Sequence, residues 1–273
     1  MSSRLAYDVH GEDGAPVVVL GSSLGTTRVM WDAQLAALAA HFRVVRYDHL
    51  GHGGSAVPDG PYTVPMLAAE LVSLMDDLGI ERAHHAGLSL GGMVAMELAA
   101  TSPMRVHRLA LFCTAAELGP AQGWYDRAET VRRKGIVAVA DAVVQRWFTP
   151  PFADSPRAAR LTAGLLDVPA EGYAGCCESI AEMDLRPRLG QISAPTLVVA
   201  GAQDLATPAS YGQQIVEGVL AGGGRARLVV VQEAAHLAAV EQAERVTSLL
   251  LQHFGADSAD ADSAFDDGSP APV

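Results

Sequence analysis

The sequence predicts an α/β fold, a mostly parallel sheet with helices on both faces and a helical insertion over its carboxyl edge, on three observations. Short apolar runs alternate with segments of helical periodicity over residues 5–113 and again over 195–254. Between them, over residues 115–186, the alternation stops and no convincing strand appears. Third, Gly87-Leu88-Ser89-Leu90-Gly91-Gly92-Met93 sets a serine between a strand-like run, 82–86, and a helix-favouring run, 93–100. The chain therefore divides into a first core part (1–114), a helical cap (115–186), a second core part (187–254) and a tail (255–273).

Taken in order, residues 5–9 read as a first strand, closed by the turn Gly11-Glu12-Asp13-Gly14. Pro16 leads into Val17-Val18-Val19-Leu20, a continuous apolar run suited to a strand covered on both faces. The loop after it, Gly21-Ser22-Ser23-Leu24-Gly25-Thr26-Thr27, could present N–H groups to an anion or simply join strand to helix. Trp31, Leu35, Leu38 and Phe42 recur at helical spacing, which makes Trp31 a core residue. Residues 43–48 read as a strand and run into the glycine-rich turn from Asp48 to Ser55. Its His49 and His52 lack the carboxylate or cysteine company that a metal site needs. Thr63 can cap a helix that tolerates Pro65 in its first turn and buries Leu67, Leu71, Leu74 and Leu78. His84 and His85 fall inside the strand before Ser89 and read as core or sheet-edge histidines. After the strand 107–113, helices are expected over 124–134, 136–148, 155–166 and 170–183. The sheet resumes at 195–201, followed by Asp204, a helix over 208–220, a strand over 226–232, His236, and a last amphipathic helix ending near Phe254.

Composition narrows the class. With 273 residues, 49% of them hydrophobic and only 5% aromatic, the chain can bury a large core. A formal charge of −12 opposes nucleic acid or an anionic membrane as partner, because each would need a basic face. Part of that charge is local: Asp257, Asp260, Asp262, Asp266 and Asp267 crowd a tail whose composition reads as a disordered segment or linker. The N-terminal residues carry no apolar leader, and no run is long enough to span a bilayer. The 3 cysteines are an odd number and two of them, Cys176 and Cys177, are adjacent, which suits buried thiols in a reducing cytoplasm.

A serine hydroxyl is a weak nucleophile until a base takes its proton, and the base needs an acid to hold its tautomer. On a strand–turn–helix scaffold these partners follow in the order acid, then histidine, each just past a strand. Asp204 and His236 occupy those places, giving the triad Ser89, Asp204, His236. Glu233 is too near His236 to orient it, and Asp184 lies in the helical insertion. The oxyanion hole should combine the N–H of Leu90 with one from the earlier loop, for which Leu24 is the choice. Dehalogenation would call for an aspartate where Ser89 stands.

With these residues placed, the sequence resembles the α/β-hydrolase fold and, more narrowly, the 3-oxoadipate enol-lactonases of bacterial aromatic catabolism. The resemblance rests on residues 21–27 with Met30-Trp31-Asp32, on the turn from Tyr47 to Ser55, on the stretch Ala86 to Met93, and on Gly172-Tyr173-Ala174-Gly175-Cys176-Cys177 with Met183-Asp184-Leu185-Arg186. Leu50 departs from the wider superfamily, which often has arginine there. The resemblance implies an eight-stranded sheet and hydrolysis of 3-oxoadipate enol-lactone to 3-oxoadipate, with neither metal nor organic cofactor. Because that substrate carries a carboxylate, a cation is expected in the pocket. The basic cluster Arg132-Arg133-Lys134 suggests Arg133 for that role, with Trp124 and Ser23 lining the pocket, although the same cluster also fits a solvated helix face. Some members of the family are fused to a carboxymuconolactone decarboxylase domain, and the acidic tail resembles a linker to one. A general carboxylesterase or a cofactor-free perhydrolase would share the triad. A ligand-binding, receptor-like protein on the same fold is a reading of another class.

Overall fold

The computed structural model describes residues 4–255, so most of the acidic tail, and with it the linker expectation, lies outside the described residues. The strands are β1 (Tyr7–His10), β2 (Val17–Gly21), β3 (Arg43–Tyr47), β4 (Ala83–Leu88), β5 (Val106–Phe112), β6 (Thr196–Gly201) and β7 (Ala226–Val231). They form one sheet in the order β1-β3-β2-β4-β5-β6-β7, with β1 antiparallel to β3 and every other pairing parallel. The sheet has seven strands among the described residues rather than eight. The stretch ahead of β2 supplies a single edge strand before the Gly11–Gly14 turn, and each later apolar run supplies one. All six residues of β4 and of β6 are buried, which is why β6 reads as a continuous apolar run rather than an alternating one.

The helices are α1 (Asp32–Ala39), α2 (Val64–Asp77), α3 (Leu90–Thr101), α4 (Ala121–Lys134), α5 (Val137–Trp147), α6 (Pro150–Ala153), α7 (Pro156–Leu166), α8 (Ala170–Ala181), α9 (Ala209–Ala221), α10 (Ala238–Glu241) and α11 (Ala243–Phe254). The Thr63 hydroxyl accepts the Met66 N–H at 3.2 Å, the cap that the sequence predicts for α2. Helix α3, which carries the chain away from Ser89, is buried from Leu90 to Ala100 and packs on β4, β5 and α2. Helices α4 to α8 follow one another between β5 and β6, and α4 lies along α8. Helix α8 meets the turn after β3 backbone to backbone: a Cβ on Gly51 would lie 2.1 Å from the Gly172 Cα, and one on Gly172 2.2 Å from the Gly51 Cα. Only glycine at both positions permits that approach.

At the opposite end of the sheet sits a group of buried histidines. His84 stacks on His107 with ring centroids 4.7 Å apart and touches Phe254, while the His253 imidazole bonds the Leu109 carbonyl. Burial lowers the pKa of His84 and His253 to about 3 and that of His85 to about 4, so these rings sit neutral in the fold.

Candidate active site

Ser89 sits between β4 and α3 with φ 54°, a left-handed backbone that a serine adopts only under local constraint. Its N–H donates to the Phe112 carbonyl at 2.9 Å, and its own carbonyl accepts the Thr114 hydroxyl at 2.8 Å. The flanking glycines are a steric requirement: a Cβ on Gly87 would lie 2.2 Å from the Gly91 carbonyl oxygen, and one on Gly91 2.4 Å from the Gly21 carbonyl. The strand can turn into the helix this tightly only because both positions lack side chains.

Asp204 and His236 come from the loops after β6 and β7 and meet at 2.9 Å, Asp204 Oδ2 to His236 Nδ1. The carboxylate also accepts the N–H groups of Ala206 (2.8 Å) and Thr207 (3.0 Å) and the Thr207 hydroxyl (2.7 Å). Burial alone would raise the Asp204 carboxyl, but His236 and the Thr207 donors outweigh it and hold the pKa down at about 2. With an ionised acid at Nδ1, His236 keeps its proton there and leaves Nε2 as an acceptor. The main chain around this histidine is tied to the cap, since the N–H groups of His236 and Leu237 donate to the Arg146 and Trp147 carbonyls at 3.3 and 2.9 Å. Glu241 bridges the same joint, accepting from the Thr149 N–H, the Thr149 hydroxyl and the Ala235 N–H.

Ser89 and His236 face one cavity of about 460 Å³, without a direct hydrogen bond between their side chains. Leu24 and Ser23 from the loop after β2 line the same space. That loop is pinned at both ends: the Ser22 carbonyl accepts the Gly91 N–H at 3.0 Å, and the Thr26 N–H donates to the Ser23 carbonyl at 3.0 Å. Among the described residues the N–H groups of Leu24 and Leu90 have no acceptor, the condition for receiving an oxyanion.

The cap wall holds Trp124 as expected but not Arg133. Arg133 is exposed and pairs with Glu129 on its own helix at 3.2 Å. Its neighbour Arg132 is held by Glu171 and Glu178 on α8. The cations that do line the cavity are Arg127 and Arg146. The Arg127 guanidinium lies 4.5 Å from the centre of the Trp124 ring, a cation–π contact, and the buried Tyr173 hydroxyl, also on the wall, faces it. The signal for Arg127 is the stripe Trp124, Arg127, Ala128, Val131, an i, i+3, i+4, i+7 face that turns inward and leaves Arg133 outside.

The family model for the alpha/beta hydrolase fold matches residues 16–243. The chain belongs to the α/β-hydrolase family. This hydrolase is 40% identical over 240 residues to the 3-oxoadipate enol-lactonase 2 of Acinetobacter baylyi, covering 87% of this chain and 88% of that protein. It is likewise similar to the crystal structure of the enol-lactonase from Burkholderia xenovorans LB400, with a TM-score of 0.87 at 40% identity over 92% of this chain and 96% of that one. A hydrolase from Pseudomonas aeruginosa PA01 superposes with a TM-score of 0.88 at 42% identity, over 92% of this chain and 94% of that one. No helix of the hydrolase is long and apolar enough to cross a membrane among the described residues.

Proposed function

We propose that this hydrolase opens 3-oxoadipate enol-lactone to 3-oxoadipate, with Ser89 as nucleophile, His236 as base and acid, and Asp204 as the group that orients it. The observation that carries the reading is the Asp204–His236 contact at 2.9 Å beside a cavity that Ser89, Arg127 and Arg146 share. The enol-lactonase relatives at about this size and shape support the substrate.

In this reading His236 Nε2 takes the Ser89 proton as Oγ adds to the lactone carbonyl, and the N–H groups of Leu24 and Leu90 receive the negative oxygen. Collapse breaks the ring C–O bond, and His236 returns the proton to the departing enolate, which ends as a ketone. The opened chain stays tethered to Ser89 as an acyl-enzyme. Water then adds to the ester carbonyl, His236 accepting its proton and passing it to Oγ, so that one water is consumed and a second carboxylate appears. Arg127, paired with no carboxylate among the described residues, holds the carboxylate that the substrate already carries, the role expected of Arg133. A cytoplasmic setting belongs to the same reading and is supported by Cys113, Cys176 and Cys177, all buried and unpaired.

The test is hydrolysis of freshly generated 3-oxoadipate enol-lactone, followed by loss of its ultraviolet absorbance. Turnover that vanishes in Ser89→Ala is the expected result; an inert wild type, or an active Ser89→Ala, would sink the proposal. A general carboxylesterase is the second reading, favoured by the apolar side of the cavity at Leu118, Val143, Ile180 and Leu205. It predicts aryl esters hydrolysed as well as the lactone.

A further inference from the structure

His49 and His52 belong to no reaction step, yet both rings are fully enclosed directly beneath the loop that carries Leu24. His49 Nε2 lies 2.9 Å from the Ser22 carbonyl, so this nitrogen carries the proton and donates. His52 does the opposite: the Gly25 N–H donates to its Nε2 at 3.0 Å, so that nitrogen must be bare. Its Nδ1, 3.1 Å from the Leu50 carbonyl, then carries the proton. One ring therefore holds the loop through residue 22 and the other through residue 25, on either side of Ser23 and Leu24.

We propose that His52 is a positioning residue for the oxyanion hole: by accepting the Gly25 N–H it fixes the peptide next to Leu24, so that the Leu24 N–H stays open to the cavity. This rests on the reading of Leu24 as an oxyanion donor. An imidazole suits the position because it offers a rigid acceptor on one side and a donor on the other without a charge. A carboxyl there would have either to bear the cost of a charge in a dry pocket or to take up a proton, and an aliphatic side chain would leave the Gly25 N–H unanswered. Burial lowers the pKa of His52, against the opposing pull of the Leu50 carbonyl and Asp48, and so preserves the bare Nε2. The support below the ring is equally fixed. The Leu50 carbonyl that receives its Nδ1 proton also accepts the Cys176 thiol of α8 at 3.6 Å, and Asp48 binds the Gly54 N–H and the Arg28 N–H at 3.2 and 2.7 Å. Helix α8 thus reaches the Leu24 loop through Leu50 and His52.

The experiment has two arms. On the wild-type protein, long-range proton–nitrogen spectra of the His52 ring should show Nδ1 protonated and Nε2 bare at neutral pH; the reverse tautomer overturns the proposal. In the second arm, His52→Leu should lower kcat and the affinity for an alkyl boronic acid together, by about tenfold to a hundredfold, because the boronate needs the oxyanion donors as the transition state does. KM should change little, and His52→Gln, whose Oε1 can take the place of Nε2, should recover most of both losses. Unchanged boronate affinity in a folded His52→Leu, or no recovery in His52→Gln, overturns it. Should His52→Leu fail to fold, the wild-type tautomer still decides. A wild type that does not bind the boronate, or a Ser89→Ala protein that still turns over substrate, is a different failure, that of the serine mechanism itself.

Discussion

On the sheet side of the cavity the Asp204 carboxylate accepts four hydrogen bonds, from Ala206, from the N–H and hydroxyl of Thr207, and from His236. On the cap side Arg127 rests on the face of Trp124, and neither it nor Arg146 is paired with a carboxylate among the described residues. One wall holds its acid and base in a fixed hydrogen-bond network, and the other keeps two guanidinium groups clear of any carboxylate among the described residues. Groups that must hold a proton in one place need fixed partners. Groups that must attract an anion do so best when no resident carboxylate competes.

Substitutions on the two walls should therefore fail in different ways. The largest effect is expected on the sheet side, where Ser89→Ala removes turnover and Asp204→Asn lowers kcat by roughly a thousandfold or more with KM little changed. A mainly KM effect in Asp204→Asn would break the contrast. Next in size is a pH effect from the buried histidines of the core, two of which lie on β4. His49, His84 and His253 are held at about 3 and His85 at about 4, below the unfolded value of 6.5. The unfolded chain therefore binds more protons than the fold between those values, and stability falls as pH drops through that window. The loss is on the order of several kcal/mol by about pH 5, readable as a falling melting temperature. Asp204 adds nothing there, because its carboxyl, held at about 2, gives up its stabilisation only as pH falls from the unfolded 3.8 through that value. His84→Phe should flatten the slope, and an unchanged slope would remove His84 from the account.

Smaller effects are expected in the cap. Arg127→Ala should raise KM for the charged lactone on the order of tenfold, leave a neutral ester almost untouched and change kcat little. Arg133→Ala should do neither, since among the described residues its guanidinium pairs with Glu129 on the outer face and with no other carboxylate. Equal effects from Arg127→Ala on both substrates would show that the cap is a passive cover.

The same contrast explains what could be read from the sequence. Asp204 and His236 are legible because each follows a strand that announces itself as a run of Val, Leu or Ala, and Ser89 because glycines flank it at the G-x-S-x-G spacing ahead of a helix. The residues themselves mark seven strand segments, which is the number in the sheet, whereas the resemblance implies eight. The cap offers no such marker. Arg127 and Arg133 share a helix and a charge, and the inward face is set by Ala128 and Val131, a weaker cue than a cluster of three basic residues. Thr207 could have been found as the hydroxyl three residues after Asp204, a spacing that suits a side-chain turn. His52 was legible only as a histidine in a turn, because its partner Gly25 lies 27 residues away.

The contact between Gly51 and Gly172 makes the cap and the core a matched pair rather than interchangeable parts. A cap transplanted from another hydrolase onto this sheet would need glycine at the point that meets Gly51. With any larger residue the imported helix would ride higher, and the cavity floor at Leu24 and its roof at Arg127 would no longer be spaced for the same ligand. Recombination between relatives should therefore succeed when the crossover keeps both glycines together and fail when it separates them.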